Sequence, residues 1–332
     1  MPGAGVLLAV TPTLVVLRAL GLGDFLTAVP ALRALADAFP GHRRLLAAPV
    51  PLAPLAALTG AVHDTVPVEP LTPLPPRLFG ADIAVNLHGC GPQSHRVLLA
   101  ARPRRLIAFA HPEVPESAPG PAWPSDVHEV ARWCGLLQAC GIPADPRRLD
   151  LEPPGGVTPP AIANGATLIH PGAASRARRW PPERWAAVAR AEASAGRTVL
   201  VTAGPGEDPL VSAVLRLAGG GAAAPILPAG RTDLLQLTAL VAVAGRVVCG
   251  DTGVAHLATA VRTPSVVLFG PTSPARWGPP PDRPIHRVLW AGTEGSPHGD
   301  ELDPGLLRVG VGAVIDALSD LPDLDRPVVM AS

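Results

Sequence analysis

The chain has 332 residues, too many for one compact core and enough for two domains of roughly 150 residues each. Twenty-seven basic residues balance twenty-seven acidic ones, so there is no whole-surface basic field for nucleic acid, although a local anion site stays open. Apolar residues make up 48% of the chain, enough to argue against the disorder that 34 glycines and 43 prolines would otherwise suggest. All basic residues are Arg and there is no Tyr, a compositional bias that says nothing about function. Cys90, Cys134, Cys140 and Cys249 form no CxxC pair and read as free thiols in a reducing compartment. No run of 18 or more apolar residues is long enough to span a bilayer. The apolar run 6–17 has no basic residue before it, follows Pro2 and is interrupted by Pro12, so a first buried strand at 14–18 is a better reading than a secretory leader. The expected location is the cytoplasm, with a peripheral position at the inner membrane face as the alternative.

Short apolar runs alternate with helical patterns from end to end. A strand at 13–19 is followed by Gly21-Leu22-Gly23 and a helix at 24–39, whose Pro30 is read as close enough to the helix start to be accommodated. Then come a strand at 44–48, a helix at 51–59, strands at 62–68 and 82–87, a helix at 93–101, a strand at 104–109 and a helix at 126–140. Residues 151–165 hold four prolines and three glycines and read as a linker. Beyond it lie a strand at 166–170, a helix at 182–194, a strand at 197–203, a helix after Gly206 and a helix at 232–244. A strand at 246–249, a helix at 252–261, a strand at 265–269 and a last helix at 304–318 complete the chain. This order predicts an α/β protein of two doubly wound parallel sheets, 1–150 and 166–332, with ligands beyond the carboxyl ends of the strands and across a cleft.

Three strand-to-helix turns carry chemistry. The strongest signal is Gly250-Asp251-Thr252-Gly253-Val254-Ala255-His256, where free backbone N–H groups and a helix dipole suit a phosphate. Thr252 adds a hydroxyl there, and His256 lies four residues on, on the same helix face. The bland alternative makes Asp251 a cap and His256 a core histidine. The second turn is His170-Pro171-Gly172-Ala173-Ala174-Ser175-Arg176-Ala177-Arg178-Arg179-Trp180, a cationic patch suited to bidentate phosphate recognition. Its alternative is a solvated charge run. The third, Gly21-Leu22-Gly23-Asp24, fails the dinucleotide fingerprint because position 26 is Leu. It leaves a carboxylate at a helix start, which is either functional or a cap. Phe269-Gly270-Pro271-Thr272-Ser273-Pro274 ends another strand in a rigid turn that would line the same cleft.

Together, the segments GLGDFLTAVPALRAL, HPGAASRARRWPPERW and CGDTGVAHLATAVRTPSVVLFGPTSPARWGP resemble glycosyltransferase family nine, the ADP-heptose:lipopolysaccharide heptosyltransferase family, over nearly the whole chain. The resemblance implies a GT-B fold of two Rossmann-like domains facing a cleft. Its N-terminal half, with Gly23, would hold the acceptor and its C-terminal half the nucleotide-sugar. It implies inversion at the anomeric carbon without a metal or other cofactor, and ADP-heptose as co-substrate. Asp24 matches the family's candidate general base. Arg178 stands where the family has a phosphate-binding Lys, and Ser175 lies in the same loop. Asp251, Thr252, Gly253 and His256 match the residues that contact the diphosphate and the transferred sugar. Gln236 stands near where members often carry a Glu that holds the ribose.

The expected reaction is acceptor deprotonation by Asp24 and attack on the anomeric carbon. Arg178 and the N–H groups at 252–254 would stabilise the leaving diphosphate. The expected partners are a nucleotide-sugar and a glycan, lipid-linked or small-molecule acceptor, with no nucleic acid. Competing readings are a nucleotide-sugar hydrolase or epimerase of the same fold, and a non-catalytic nucleotide-sugar binding homologue. An NAD-dependent oxidoreductase is disfavoured by the missing GxGxxG.

Overall fold

A computed structural model describes residues 11–219 and 224–322. Residues 6–10 of the first apolar run lie outside them. Contacts divide the chain into two units: Met1–Gly21, Ala28–Ser125 and Val130–Arg148 form the first, and Leu22–Thr27, Asp126–Glu129 and Leu149–Ser332 the second.

The elements of the first half are β1 (Thr13–Leu17), α1 (Leu22–Ala38), β2 (Arg43–Ala48), α2 (Ala53–Leu58), β3 (Asp64–Pro67), β4 (Ile83–Asn86), α3 (Gln93–Ala100), β5 (Arg105–Ile107) and α4 (Glu129–Ala139). The five strands form one parallel sheet in the order β3-β2-β1-β4-β5. β1 and β4 are central and buried on both faces, which is why they read as unbroken apolar runs. Val15 lies opposite Leu45 on one side and Ala84 on the other, and these join Leu17, Val66 and Leu98 in the core of this unit.

The second half continues with β6 (Thr167–His170), α5 (Pro182–Ser194), β7 (Val199–Val201), α6 (Asp208–Ala218), β8 (Ile226–Pro228), α7 (Leu234–Val243) and β9 (Arg246–Gly250). It ends with α8 (Gly253–Ala260), β10 (Ser265–Phe269), α9 (Pro274–Trp277), β11 (His286–Trp290), α10 (Pro304–Arg308) and α11 (Val311–Ser319). Its sheet is also parallel, in the order β11-β10-β9-β6-β7-β8. Ile169, Val248 and Val266 on the central strands pack with Trp185, Val188 and Leu318 from α5 and α11. A fully buried side chain of this kind contributes about 1.5–3 kcal/mol.

The structure corrects the sequence reading at several places. Pro30 falls in the middle of α1, not near its start. Having no N–H, it cannot satisfy the carbonyl of Leu26. The expected helix at 51–59 opens as a 3-10 turn over Val50–Leu52 before becoming α2. The last helix is two helices, α10 and α11, separated at Val309 and Gly310. The carbonyl of Val309, turned out of the helix path, accepts from Trp180 Nε1 at 3.1 Å and from Arg184 Nη1 at 3.0 Å. β8, α9 and β11 were not expected. The segment read as a linker is tied down at its start, where Leu151 is buried and donates its N–H to the Ala260 carbonyl. All four cysteines are free thiols. Among the described residues, no helix is long and apolar enough to cross a membrane.

Candidate active site

Strand order decides which loops meet. β6, β9 and β10 are neighbours and run the same way, so the loops that follow them leave the sheet side by side at its carboxyl edge. That edge is where open parallel sheets bind ligands. The three loops bring Arg178, Asp251 and Thr272 together. Arg178 Nη1 donates to the Asp251 carbonyl at 3.2 Å and lies 3.6 Å from Asp251 Oδ2. The Thr272 hydroxyl lies near enough to the Asp251 carboxylate to favour its charged form. Burial raises the Asp251 carboxyl above the usual range. Arg178 and Thr272 pull against that rise, and the charge of Asp24 nearby adds to it.

Neither aspartate is a helix cap. The N-cap of α8 is Thr252, whose side chain makes no capping bond, and the N-cap of α1 is Gly21, with Asp24 inside the first turn. The N-cap position of each helix is thus held by another residue, and Asp24 stands where a carboxylate favours the start of α1. Asp251 instead anchors Arg178. The enclosed Nε of Arg178 has no acceptor. The backbone N–H groups of Thr252, Gly253 and Val254 likewise meet no acceptor among the described residues. Unpaired donors beside a half-buried guanidinium at the positive end of a helix make a cradle for an anion.

The first residues of α1, Leu22–Thr27, belong to the same unit as α8, and the two helix starts touch. A Cβ on Gly23 would lie 2.9 Å from His256 Cδ2 and 3.5 Å from Gly253 Cα. A Cβ on Gly253 would lie 2.8 Å from Leu22 Cβ. Only glycine at both positions permits this approach. His256 also meets the ring of Trp277 edge-on, with centroids 5.9 Å apart. Burial, helped by His128, lowers its pKa to about 4, so at neutral pH it offers a hydrogen bond and not a charge. His128 Nε2 faces the Gly278 carbonyl at 2.9 Å, so that nitrogen is assigned the proton.

Two expected ligand groups are engaged elsewhere. The Ser175 hydroxyl donates to the Pro297 carbonyl at 2.6 Å, tying the Arg178 loop to the 291–303 segment. Gln236 forms a capping box with Asp233: its Oε1 accepts from the Asp233 N–H at 2.9 Å, and its N–H donates to Asp233 Oδ1 at 2.8 Å. The spacing Asp233-x-x-Gln236 signals that box in the sequence.

Trp277 and Glu207 are side chains that sequence reasoning missed, and Thr272 was placed on the cleft only as part of its turn. Thr272 was legible as a hydroxyl after the strand next to β9, and Trp277 lies only a few residues further on. Glu207 shapes the turn after β6. It accepts from the Gly204 N–H at 2.7 Å, lies 3.7 Å from His170 Nε2, and fills the space a Cβ on Gly172 would need. Among the described residues, no three His, Cys, Asp or Glu side chains cluster as metal ligands would.

The model of the family "Glycosyltransferase family 9 (heptosyltransferase)" matches residues 124–301, more than half of the chain and all three loops of this site. The chain belongs to glycosyltransferase family 9. Among curated proteins, lipopolysaccharide heptosyltransferase 3 of Escherichia coli strain K12 is 31% identical over 169 residues, covering 48% of this chain and 48% of that protein. The match thus spans about half the length of that relative. Among solved structures, the glycosyl transferase family 9 protein of Veillonella parvula DSM 2008 superposes with a TM-score of 0.76 at 20% identity, covering 93% of this chain and 96% of that one. The E. coli ADP-heptose lps heptosyltransferase II superposes with a TM-score of 0.72 at 21% identity, covering 92% and 97%. The two parallel-sheet units are those of the GT-B fold.

Proposed function

We propose that this family 9 chain is an inverting glycosyltransferase that moves a sugar, a heptose from ADP-heptose, to a hydroxyl acceptor in lipopolysaccharide-type glycoconjugate synthesis. The observation that carries the reading is the cradle at the ends of β6 and β9: Arg178 held on Asp251 beside the unpaired N–H groups of Thr252, Gly253 and Val254. A diphosphate leaving group is the ligand whose charge and size such a cradle suits. The names of the E. coli relatives support heptose and ADP as its sugar and nucleotide.

In this reading, Asp24 takes the proton of the attacking hydroxyl, and inversion follows from direct displacement at the anomeric carbon. Negative charge grows on the diphosphate as the glycosidic bond breaks. Arg178 and the α8 N-terminus meet that charge, a kind of contact typically worth about 2.7–4 kcal/mol of transition-state stabilisation. Neutral His256, fixed between Gly23 and Trp277, donates or accepts a hydrogen bond at the sugar. The proposed reaction draws on no metal or other cofactor. The test is ADP release from ADP-heptose with a panel of hydroxyl acceptors, in EDTA. Asp24→Ala should abolish release and leave donor binding near wild type, whereas Arg178→Ala should weaken both. Undiminished release by Asp24→Ala would remove the base assignment, and release without any acceptor would favour a hydrolase.

A further inference from the structure

The segment that joins β11 to α10, residues 291–303, is fastened to two of the three loops that meet at the site. As the chain leaves β11, Trp290 Nε1 donates to the Gly270 carbonyl at 3.1 Å. Gly295 then donates its N–H to the Pro271 carbonyl at 3.0 Å, and Glu294 pairs with Arg276 on α9. Further on, the segment meets the Arg178 loop. The Pro297 carbonyl accepts from the Ser175 hydroxyl at 2.6 Å, and the Gly299 carbonyl accepts from the Ala177 N–H at 3.1 Å. Asp303 donates its N–H back to the Ala177 carbonyl at 3.4 Å. Residues 291–303 thus form a strap across the loops after β6 and β10.

Hydrogen bonds, with little help from packing, keep this strap in place. None of residues 291–303 is fully buried, and 292–296, 298, 300 and 301 are exposed. A segment with few buried apolar contacts opens easily once its hydrogen bonds are lost. The loop it holds carries the guanidinium of the anion cradle. Ala177 is 3% exposed, and a Cβ on Gly299 would lie 3.6 Å from Ala177 Cβ. Arg178, next in the chain, reaches Asp251. The turn that presents it is a single 3-10 turn over Arg176–Arg178, in which the Arg178 N–H donates to the Ser175 carbonyl at 3.2 Å. Ser175 therefore supports the turn with its carbonyl and fastens it to the strap with its hydroxyl.

We infer that Ser175 is a positioning residue, whose hydroxyl acts through the strap to set where the Arg178 guanidinium stands against a bound diphosphate. This inference rests on the proposed reading of Arg178 as the partner of that diphosphate. A cation stabilises developing charge best when it is already in place, and a displacement of about 1 Å is enough to weaken its effect. Without the Ser175 hydroxyl, the Ala177 bonds to Gly299 and Asp303 remain, so the loop loosens and the fold persists.

The experiment compares the full chain with Ser175→Ala, Ser175→Thr, Arg178→Ala and the double variant Ser175→Ala with Arg178→Ala. Amide hydrogen exchange, read by mass spectrometry without ligand, reports on the strap. Ser175→Ala should speed exchange in peptides covering 175–180 and 293–303 together, by about 2–10-fold for one lost hydrogen bond, and leave α8 unchanged. Calorimetric titration of ADP reports on Arg178. Ser175→Ala should weaken ADP binding by about 2–10-fold when Arg178 is present and cause no further loss when it is Ala, because the hydroxyl acts through that guanidinium. Ser175→Thr keeps the hydroxyl on an extended backbone, φ −120° and ψ 155°, that suits a β-branched residue, and it should restore both readings. Unchanged exchange in Ser175→Ala, equal losses of ADP affinity with and without Arg178, or no rescue by Thr would overturn the inference. Binding of ADP by the wild-type chain reports on the donor reading separately, whereas the exchange measurement needs no ligand.

Discussion

The contact between Gly23 and His256 makes a prediction that no cap or charge argument makes. A methyl group on Gly23 would stand 2.9 Å from the imidazole, closer than carbon atoms tolerate, so the ring must move. Gly23→Ala is expected to cost about 1–3 kcal/mol of stability through overpacking. If the imidazole works at the sugar, a displacement of about 1 Å should lower turnover on the order of 100-fold, far beyond the stability loss. Thermal unfolding and ADP-release rates on the same preparation check both. Turnover near wild type would place His256 outside the reaction. Much of the site was legible at this scale, because strand-end turns that keep glycine beside Asp, Thr and His carry their chemistry in consecutive residues. The partner of Gln236 is Asp233, three positions earlier, in a local capping box that the family comparison did not bring out. Ser175 is held by Pro297, across a separation that no local pattern shows.

Among the elements, the central strands were readable and the edges were not. β9 and β10 are buried along their whole length, and their apolar runs stand out. β8 and β11 are the two edge strands of the same sheet, are mostly half-buried or exposed, and lack that run. The final helix was read as one because its apolar spacing continues across Val309 and Gly310, while the break is held by Trp180, just before α5, and by Arg184 on α5. Trp180→Phe tests this. It keeps the buried ring but removes the donor to the Val309 carbonyl, and the loss should be about 0.5–1.5 kcal/mol in chemical denaturation. No change in stability would show that backbone preference alone, and not Trp180, separates α10 from α11.

For the whole molecule, three histidines tie stability to pH in one direction. His88, His256 and His286 are each lowered to about 4, chiefly by burial, from about 6.5 in an unfolded chain. Between those values the unfolded chain binds more protons, so folding stability should be fully present above about pH 6.5 and fall as pH drops toward 4. Denaturation at pH 7, 5.5 and 4.5 reads this directly. His286, whose Nδ1 faces Ser265 Oγ at 2.8 Å and whose Nε2 is enclosed without a partner, should supply part of the fall. His286→Gln should therefore flatten it. A stability that rises on acidification would contradict the burial argument.

The central claim for the chain is that the ends of β6, β9 and β10 hold a nucleotide-sugar diphosphate. Its most direct test is calorimetric titration of ADP-heptose into the wild-type chain and Arg178→Ala, in EDTA, with ADP-glucose and UDP-glucose as rivals. The account predicts that the wild-type chain binds ADP-heptose in preference to both rivals and that Arg178→Ala loses most of that affinity. No binding of ADP-heptose, or equal binding by the two proteins, would contradict it.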